Sequence, residues 1–310
     1  MHTILGANGI IGEELAKALR ADQSTAIRLV GRNPQAIHAE DELIKADLLL
    51  LDQVREAVQG TEIAYLTVGL PYRSKVWLRD WPRILANVIA ACKEVGCKLV
   101  YFDNTYAYPQ DAEQQVEDTP LASDGAKGRA KREAAELLLK AMAAGEVTAM
   151  ICRAPEFYGP GKTKSITNTL IFENLQQGKA PKVLVRDDTL RTLIYTPDAS
   201  RAMALLANTP DAYGQTWHLP CDDARLTNKG FVEEVSRQLK RHISYGILRP
   251  FLLRVVALFN GSIKETLELL PRYEIDNIFD SSKFKARFPD FKVTSYSEGI
   301  AATLTSYGIS

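Results

Sequence analysis

Apolar positions along the first half of the chain alternate between two rhythms. The short run HTILGA (2–7) is followed by apolar residues at helical spacing over Ile10–Leu19, then by a second run, AIRLVGR (26–32). Asp52–Val58 reads as a short helix ending at Gly60, and EIAYLTVG (62–69) as the next apolar strand. Trp81–Val95 has the length and spacing of a long helix closed by Gly96, before the strand KLVYFDN (98–104). Gly128–Ala144, with Gly145 as its C-cap, and the strand VTAMICRAP (147–155) complete the series. Near-continuous apolar strands that alternate with amphipathic helices imply a parallel sheet covered on both faces. With right-handed crossovers this is a doubly wound α/β fold of the Rossmann type.

The rhythm changes after Pro155. Segment 156–187 is rich in Gly, Pro, Lys, Asn and Gln, and 188–207 returns to a strand, TLIYT, and a helix over Asp198–Leu206. Short strands and a helix near Lys229–Leu239 follow. The pattern predicts a dinucleotide-binding domain over 1–155, to which 188–207 returns, and a smaller C-terminal α/β substrate-binding domain over 156–187 and 208–310. The most apolar stretch, Pro250–Phe259, is too short to span a bilayer and reads as a core helix or as a lid over a substrate pocket.

Composition narrows the field. The 310 residues are 46% apolar and 25% charged, and 38 basic residues balance 38 acidic ones. No overall field favours nucleic acid or an anionic membrane, so neither is an expected partner. Cys92, Cys97, Cys152 and Cys221 show no C-x-x-C spacing, and His2, His38, His218 and His242 show neither metal nor triad spacing. No metal and no catalytic histidine are therefore expected. Reduced thiols and a strand that starts at residue 2, without a leader, point to a cytoplasmic protein.

The sharpest motif is GANGIIG, in which Gly6, Gly9 and Gly12 are followed at once by a helix. Glycines here let backbone N–H groups approach a pyrophosphate at a helix N-terminus, with Asn8, Ile10 and Ile11 supplying the intervening backbone. Where an NAD site ends its second strand with a carboxylate, this chain has Gly31, Arg32 and Asn33. A guanidinium suits a 2′-phosphate, which favours NADP(H) with NAD(H) as the alternative. Asp47 and Leu48 flank the adenine by position, and Val68 and Gly69 stand at the end of the next strand. For Asp47 a plain surface role is the competing reading. The fragment GPGKTKS (159–165) lacks phosphate-loop spacing, although Lys162 and Lys164 could face an anionic ligand from a loop.

These pieces, with Asn87 in LANVIAACKEVG, LVYFDNTYAYP, CRAPEFYGPG (152–161), LIYTPDASRAMALL (193–206) and AYGQTWHLP (212–220), resemble the extended short-chain dehydrogenase/reductase superfamily in its epimerase/dehydratase branch. The resemblance covers nearly the whole chain. It implies an NAD(P)-dependent oxidoreductase, epimerase or dehydratase acting on a sugar-type or other carbonyl or alcohol small molecule. It also implies a homodimer built on the helices Trp81–Val95 and Gly128–Ala144. The chain departs from the family where the chemistry is done. Asn104 stands where members carry Ser or Thr, and Lys127 replaces the tyrosine of Y-x-x-x-K while Lys131 matches its lysine. Lys131 is then expected on the nicotinamide ribose.

The missing phenol leaves Lys127, Asn104, Thr105 and Tyr106 as candidates for proton transfer and oxyanion binding, whereas Tyr108 and Tyr158 match structural tyrosines. Lys127 and Lys131 lie four apart on one helix face, so either they depress each other's pKa or both are solvated in the basic run KGRAKR. Loss of the tyrosine also admits a second reading, a non-catalytic NAD(P)-binding sensor or interaction protein.

Overall fold

The computed structural model describes residues 1–21, 25–161 and 163–310; Lys162 lies outside the described residues. Seven parallel strands form one sheet. Six are β1 (His2–Leu5), β2 (Ile27–Gly31), β3 (Glu42–Lys45), β4 (Ile63–Leu66), β5 (Lys98–Asn104) and β6 (Ala149–Ala154), and the seventh is Thr216–His218. Read across the sheet, the order is the seventh strand, β6, β5, β4, β1, β2, β3. The order reverses at β1, which pairs with β2 (Leu5↔Val30) on one side and with β4 (Leu5↔Leu66) on the other. Ligands of open α/β sheets bind at such a switch point, beyond the carboxyl ends of the strands. The expected doubly wound α/β fold is present. The strand that apolar runs do not reveal is β3, an edge strand whose residues Glu42, Leu43 and Lys45 are exposed.

The helices that matter for the site are α1 (Ile10–Arg20), α2 (Leu51–Ala57), α3 (Ser74–Val95) and α4 (Ala126–Ala143). α3 starts two turns before the expected Trp81. Pro82 favours a helix start in sequence, but here the helix runs through it. Leu85, Val88, Ile89 and Cys92 are all buried in the core of the sheet unit. That stripe packs α3 within the first unit.

The chain divides into two compact units, Met1–Tyr108 with Pro120–Ala154 and Ala199–Leu219, and Pro109–Thr119 with Pro155–Asp198 and Pro220–Ser310. The segment that returns to the first unit is thus Ala199–Leu219 and not 188–207. The strand that closes the sheet, Thr216–His218, lies later, paired on Ile151–Arg153. Residues before Ala199 pair within the second unit, Leu193–Tyr195 on Glu156–Tyr158 and Leu190–Arg191 on Leu226–Thr227.

The second unit holds an aromatic core. Tyr158 stacks on Tyr296 at 5.8 Å, and Phe172, Phe231 and Tyr307 close around it. Pro250–Ala257 is a surface helix and not a core one: only Leu253 and Ala257 are buried. A run that is apolar all round carries no periodicity to show which face turns inward.

In the first unit, Gly128 is what lets α4 close on the turn after β5. A Cβ there would meet the Ser123 hydroxyl and stand 2.7 Å from the Tyr106 carbonyl oxygen. Replacing glycine by alanine inside a helix ordinarily stabilises by about 1 kcal/mol. Gly128→Ala is expected to do the opposite, lowering the denaturant midpoint; a higher midpoint would show that α4 does not need this approach.

Candidate active site

The glycine turn follows β1, and its three glycines answer to different constraints. Gly6 has φ +99°, and a Cβ there would run into the Val68 backbone, 2.6 Å from its nitrogen. A Cβ on Gly12 would stand 2.9 Å from Ala7 Cα and 3.0 Å from its carbonyl oxygen. Both glycines are therefore demanded by the protein's own packing. Gly9 is not: a Cβ there would find nothing closer than 3.6 Å, at the Gly6 carbonyl oxygen. Its bare Cα instead keeps open the space in front of α1. Gly9 is the N-cap of α1 and provides no side-chain cap, so the helix presents its first N–H groups and their partial positive charge there. Ile11 is buried beneath this turn and Ile10 half-buried.

Around the turn, the expected rim residues gather. Asn8 Nδ2 donates to the Asn33 carbonyl at 2.6 Å, tying the turn to the loop after β2. A cleft of about 380 Å³ lies beside it, lined by Ala7, Asn8, Glu13, Gln35, Ala36 and Ile37. Arg32 is exposed and makes no hydrogen bond or ion pair with the described residues. Val68, half-buried, presses on Gly6, and Gly69 beside it is exposed with nothing within 4 Å of a Cβ. Asp47 is spent locally: its carboxylate accepts from Leu49 N at 3.0 Å. Leu48 is buried, and its carbonyl accepts from Asn87 Nδ2 at 2.9 Å.

Lys127 and Lys131 of α4 are both buried, which excludes the reading that these two are solvated. Lys131 is 1% exposed; its ammonium lies 2.7 Å from Asp103 Oδ1, donates to the Tyr101 hydroxyl, and sits 3.7 Å from the Trp81 ring centroid. Asp103 also accepts from Arg153 Nε at 3.1 Å, and Arg153 NH1 donates to Tyr108 OH at 2.7 Å. Tyr108 OH in turn pairs with His218 Nε2 at 2.7 Å.

Burial alone would raise the Asp103 carboxyl, but Lys131 and Arg153 outweigh it and hold it below its ordinary 3.8. Burial pushes Lys131 down from 10.5 against the pull of Asp103, and the neighbouring cation that adds to this is Arg153. Lys127 is wholly buried by a different set of partners. Its Nζ donates to Ser74 Oγ at 3.0 Å and lies 4.4 Å from the Tyr72 ring centroid. Two buried cations, Lys131 and Arg153, thus flank one buried carboxylate at the end of β5.

Asn104 caps the turn that follows β5, its Oδ1 accepting from Tyr106 N at 3.1 Å. Thr105 is buried within that turn, while Tyr106 is half-buried. The Tyr106 hydroxyl meets the Tyr72 hydroxyl at 3.1 Å, and Trp77 packs edge-on against both rings.

The sequence pattern of the NAD dependent epimerase/dehydratase family matches residues 2–219. The chain belongs to that family. Solved structures with the same fold include the UDP-glucuronic acid 4-epimerase of Bacillus cereus in complex with NAD, at TM-score 0.80 and 14% identity over 99% of both chains. A dTDP-glucose 4,6-dehydratase from Streptomyces venezuelae with NAD bound aligns at TM-score 0.78 and 15% identity, over 99% of this chain and 97% of that one. The Bordetella bronchiseptica enzyme WbmH with NAD+ follows at 0.76 and 16%, over 99% and 98%. No curated protein matches in sequence.

For a member of the epimerase/dehydratase family, the residues that sequence reasoning missed here are Tyr72, Ser74, Trp77, Asp103 and Arg153. Asp103 and Arg153 sit inside runs that read as plain apolar strands, and the other three lie before the expected start of α3. Asp103→Asn removes the anion between two buried cations and is expected to cost about 3–5 kcal/mol of unfolding free energy. Because its pKa is lowered, the Asp103 contribution is complete above 3.8 and fades as pH falls through the lowered value. Wild type should therefore lose more stability than the variant below about pH 4. Equal urea midpoints at neutral pH would show that the ion network does not hold this end of the sheet.

Proposed function

We propose that the chain binds a nicotinamide dinucleotide across Gly9 and uses it to oxidise or reduce an alcohol or carbonyl carbon of a small, sugar-type substrate. The observation that carries this reading is Gly9, the one glycine of the turn that internal packing does not require, in front of an uncapped helix N-terminus. Gly6, Asn8, Ile10, Ile11, Gly12, Val68 and Gly69 would hold the pyrophosphate and its surroundings. Leu48, fixed by Asn87, and Asp47 would border the adenine. The solved epimerase, dehydratase and WbmH structures contain NAD, two of them named for UDP- and dTDP-sugar compounds, which supports the same cofactor class and a nucleotide sugar as the first substrate to try.

The dinucleotide, when bound, supplies or accepts the hydride. The chain's own residues handle the oxygen. Lys127 stands where the family resemblance calls for tyrosine, and its ammonium can donate to the substrate oxygen as charge develops on it. Asn104, Thr105 and the Tyr72–Tyr106 hydroxyl pair border the same end of β5. The surplus of buried positive charge around Asp103 favours an oxyanion over a neutral carbonyl. Lys131 acts through Asp103, as the counter-charge that fixes it.

Cys92, Cys97, Cys152 and Cys221 are buried and form no disulfide among the described residues, which supports a cytoplasmic setting, and no helix among the described residues is long and apolar enough to cross a membrane. A second reading, cofactor binding without turnover, is favoured by one observation: Lys127 and Lys131 are both fully enclosed by partners of the first unit.

Lys127→Ala is expected to lower kcat by about 10²–10⁴-fold while leaving dinucleotide affinity unchanged. Turnover that survives both Lys127→Ala and Tyr106→Phe would remove these groups from the reaction. Tight cofactor binding with no consumption across UDP- and dTDP-sugars and simple carbonyls would establish the second reading.

Within the cofactor class we assign NADP(H) over NAD(H), because β2 is followed by Arg32 with no carboxylate beside it. Arg32→Ala should weaken NADP(H) about tenfold and leave NAD(H) almost unchanged. An equal loss for both would return the preference to NAD(H).

A further inference from the structure

The second unit carries an apolar face that its own core does not use. On the helix Pro250–Ala257 and the two residues after it, Phe251 is 77% exposed, Leu258 78% and Phe259 89%. Leu252, Val255 and Val256 are exposed between them. At about 100° per residue these six side chains fill one continuous arc of roughly 160°. Leu253 and Ala257 point the other way and are buried. The same geometry puts Arg254 just outside one edge of the arc and Arg249, the N-cap, just outside the other.

Charge is segregated in the same stretch. Between Lys240 and Lys264 the chain has five Lys or Arg residues and no Asp or Glu, although its total charge is zero. Lys240, Arg241, Arg249, Arg254 and Lys264 are all exposed, and none of them is in an ion pair among the described residues.

We infer that this helix docks the protein on an anionic lipid surface, lying in the plane of the interface with Phe251, Leu258 and Phe259 in the acyl boundary and the arginines at headgroup level. An apolar arc edged by basic residues is the arrangement of interfacial helices, and long basic side chains reach the headgroups while their stems stay apolar. The patch is too short and too one-sided to cross a bilayer. A second copy of the chain is a poor occupant. The arc offers roughly 600 Å² of apolar surface, below the ~800 Å² per partner of a standard interface, and a symmetric contact would bring like charges together. One short helix gives reversible binding that depends on anionic lipid and is weakened by salt.

Co-sedimentation of the full chain with vesicles tests this. Phosphatidylcholine mixed with phosphatidylglycerol should retain several-fold more protein than phosphatidylcholine alone, and added salt should reduce the difference. Phe251→Ser with Phe259→Ser should weaken retention by at least about tenfold, and Arg249→Gln with Arg254→Gln should abolish the preference for phosphatidylglycerol. All these positions are exposed, so both variants should keep the wild-type thermal midpoint. No retention of wild type on phosphatidylglycerol vesicles would overturn the inference. So would equal retention of the phenylalanine variant, or concentration-dependent self-association that the phenylalanine substitutions abolish.

Discussion

At the carboxyl end of β1 the backbone has no room for a Cβ at Gly6 or Gly12, and the arrangement of the first unit depends on that closeness. Gly6 lies against Val68 at the end of β4, and Gly12 lets the first turn of α1 settle on Ala7. These contacts place a helix N-terminus at the point where strand order reverses. Packing alone would tolerate a side chain at Gly9. The turn is thus two structural glycines that build a cradle and a third that keeps it open. Alanine would not serve at Gly6 or Gly12 even without a ligand, so those two glycines say little about cofactor binding, and the functional argument rests on Gly9.

A second constraint organises the other end of the switch point. Asp103 pairs with both Lys131 and Arg153 in a place from which water is excluded, and Arg153 extends the chain of contacts through Tyr108 to His218 on the last strand of the sheet. Removing either member of such a buried pair leaves an uncompensated charge. The network explains why a lysine at this point of α4 can be fully buried. It also separates the two lysines: Lys131 belongs to the ion network, whereas Lys127 is held by Ser74 and the Tyr72 ring.

Much of the fold was legible from periodicity, because buried parallel strands carry unbroken apolar runs. β3 was not, since an edge strand with three exposed residues has no such run. The return of Ala199–Leu219 was misplaced because Leu193–Tyr195 has the apolar look of a sheet strand but pairs on Glu156–Tyr158 in the second unit. At the site, the place of the glycine turn between β1 and α1 was legible from spacing. The fate of Lys127 and Lys131 was not: KGRAKR is a charge run in sequence, and contacts with Asp103, Trp81, Tyr72 and Ser74, all distant along the chain, bury these two lysines. The run Pro250–Phe259 shows the opposite failure, an apolar sequence that lies outside.

Dinucleotide binding depends on the space in front of Gly9. Calorimetric titration of NADP+ and NAD+ into the wild-type chain and into Gly9→Val tests it most directly. The variant should unfold at nearly the wild-type midpoint, because a Cβ there comes no closer than 3.6 Å to a neighbour, yet lose at least about tenfold in affinity for the dinucleotide that wild type binds. Equal binding by the two proteins, or no binding of either dinucleotide to wild type, would contradict the cofactor assignment and the function built on it.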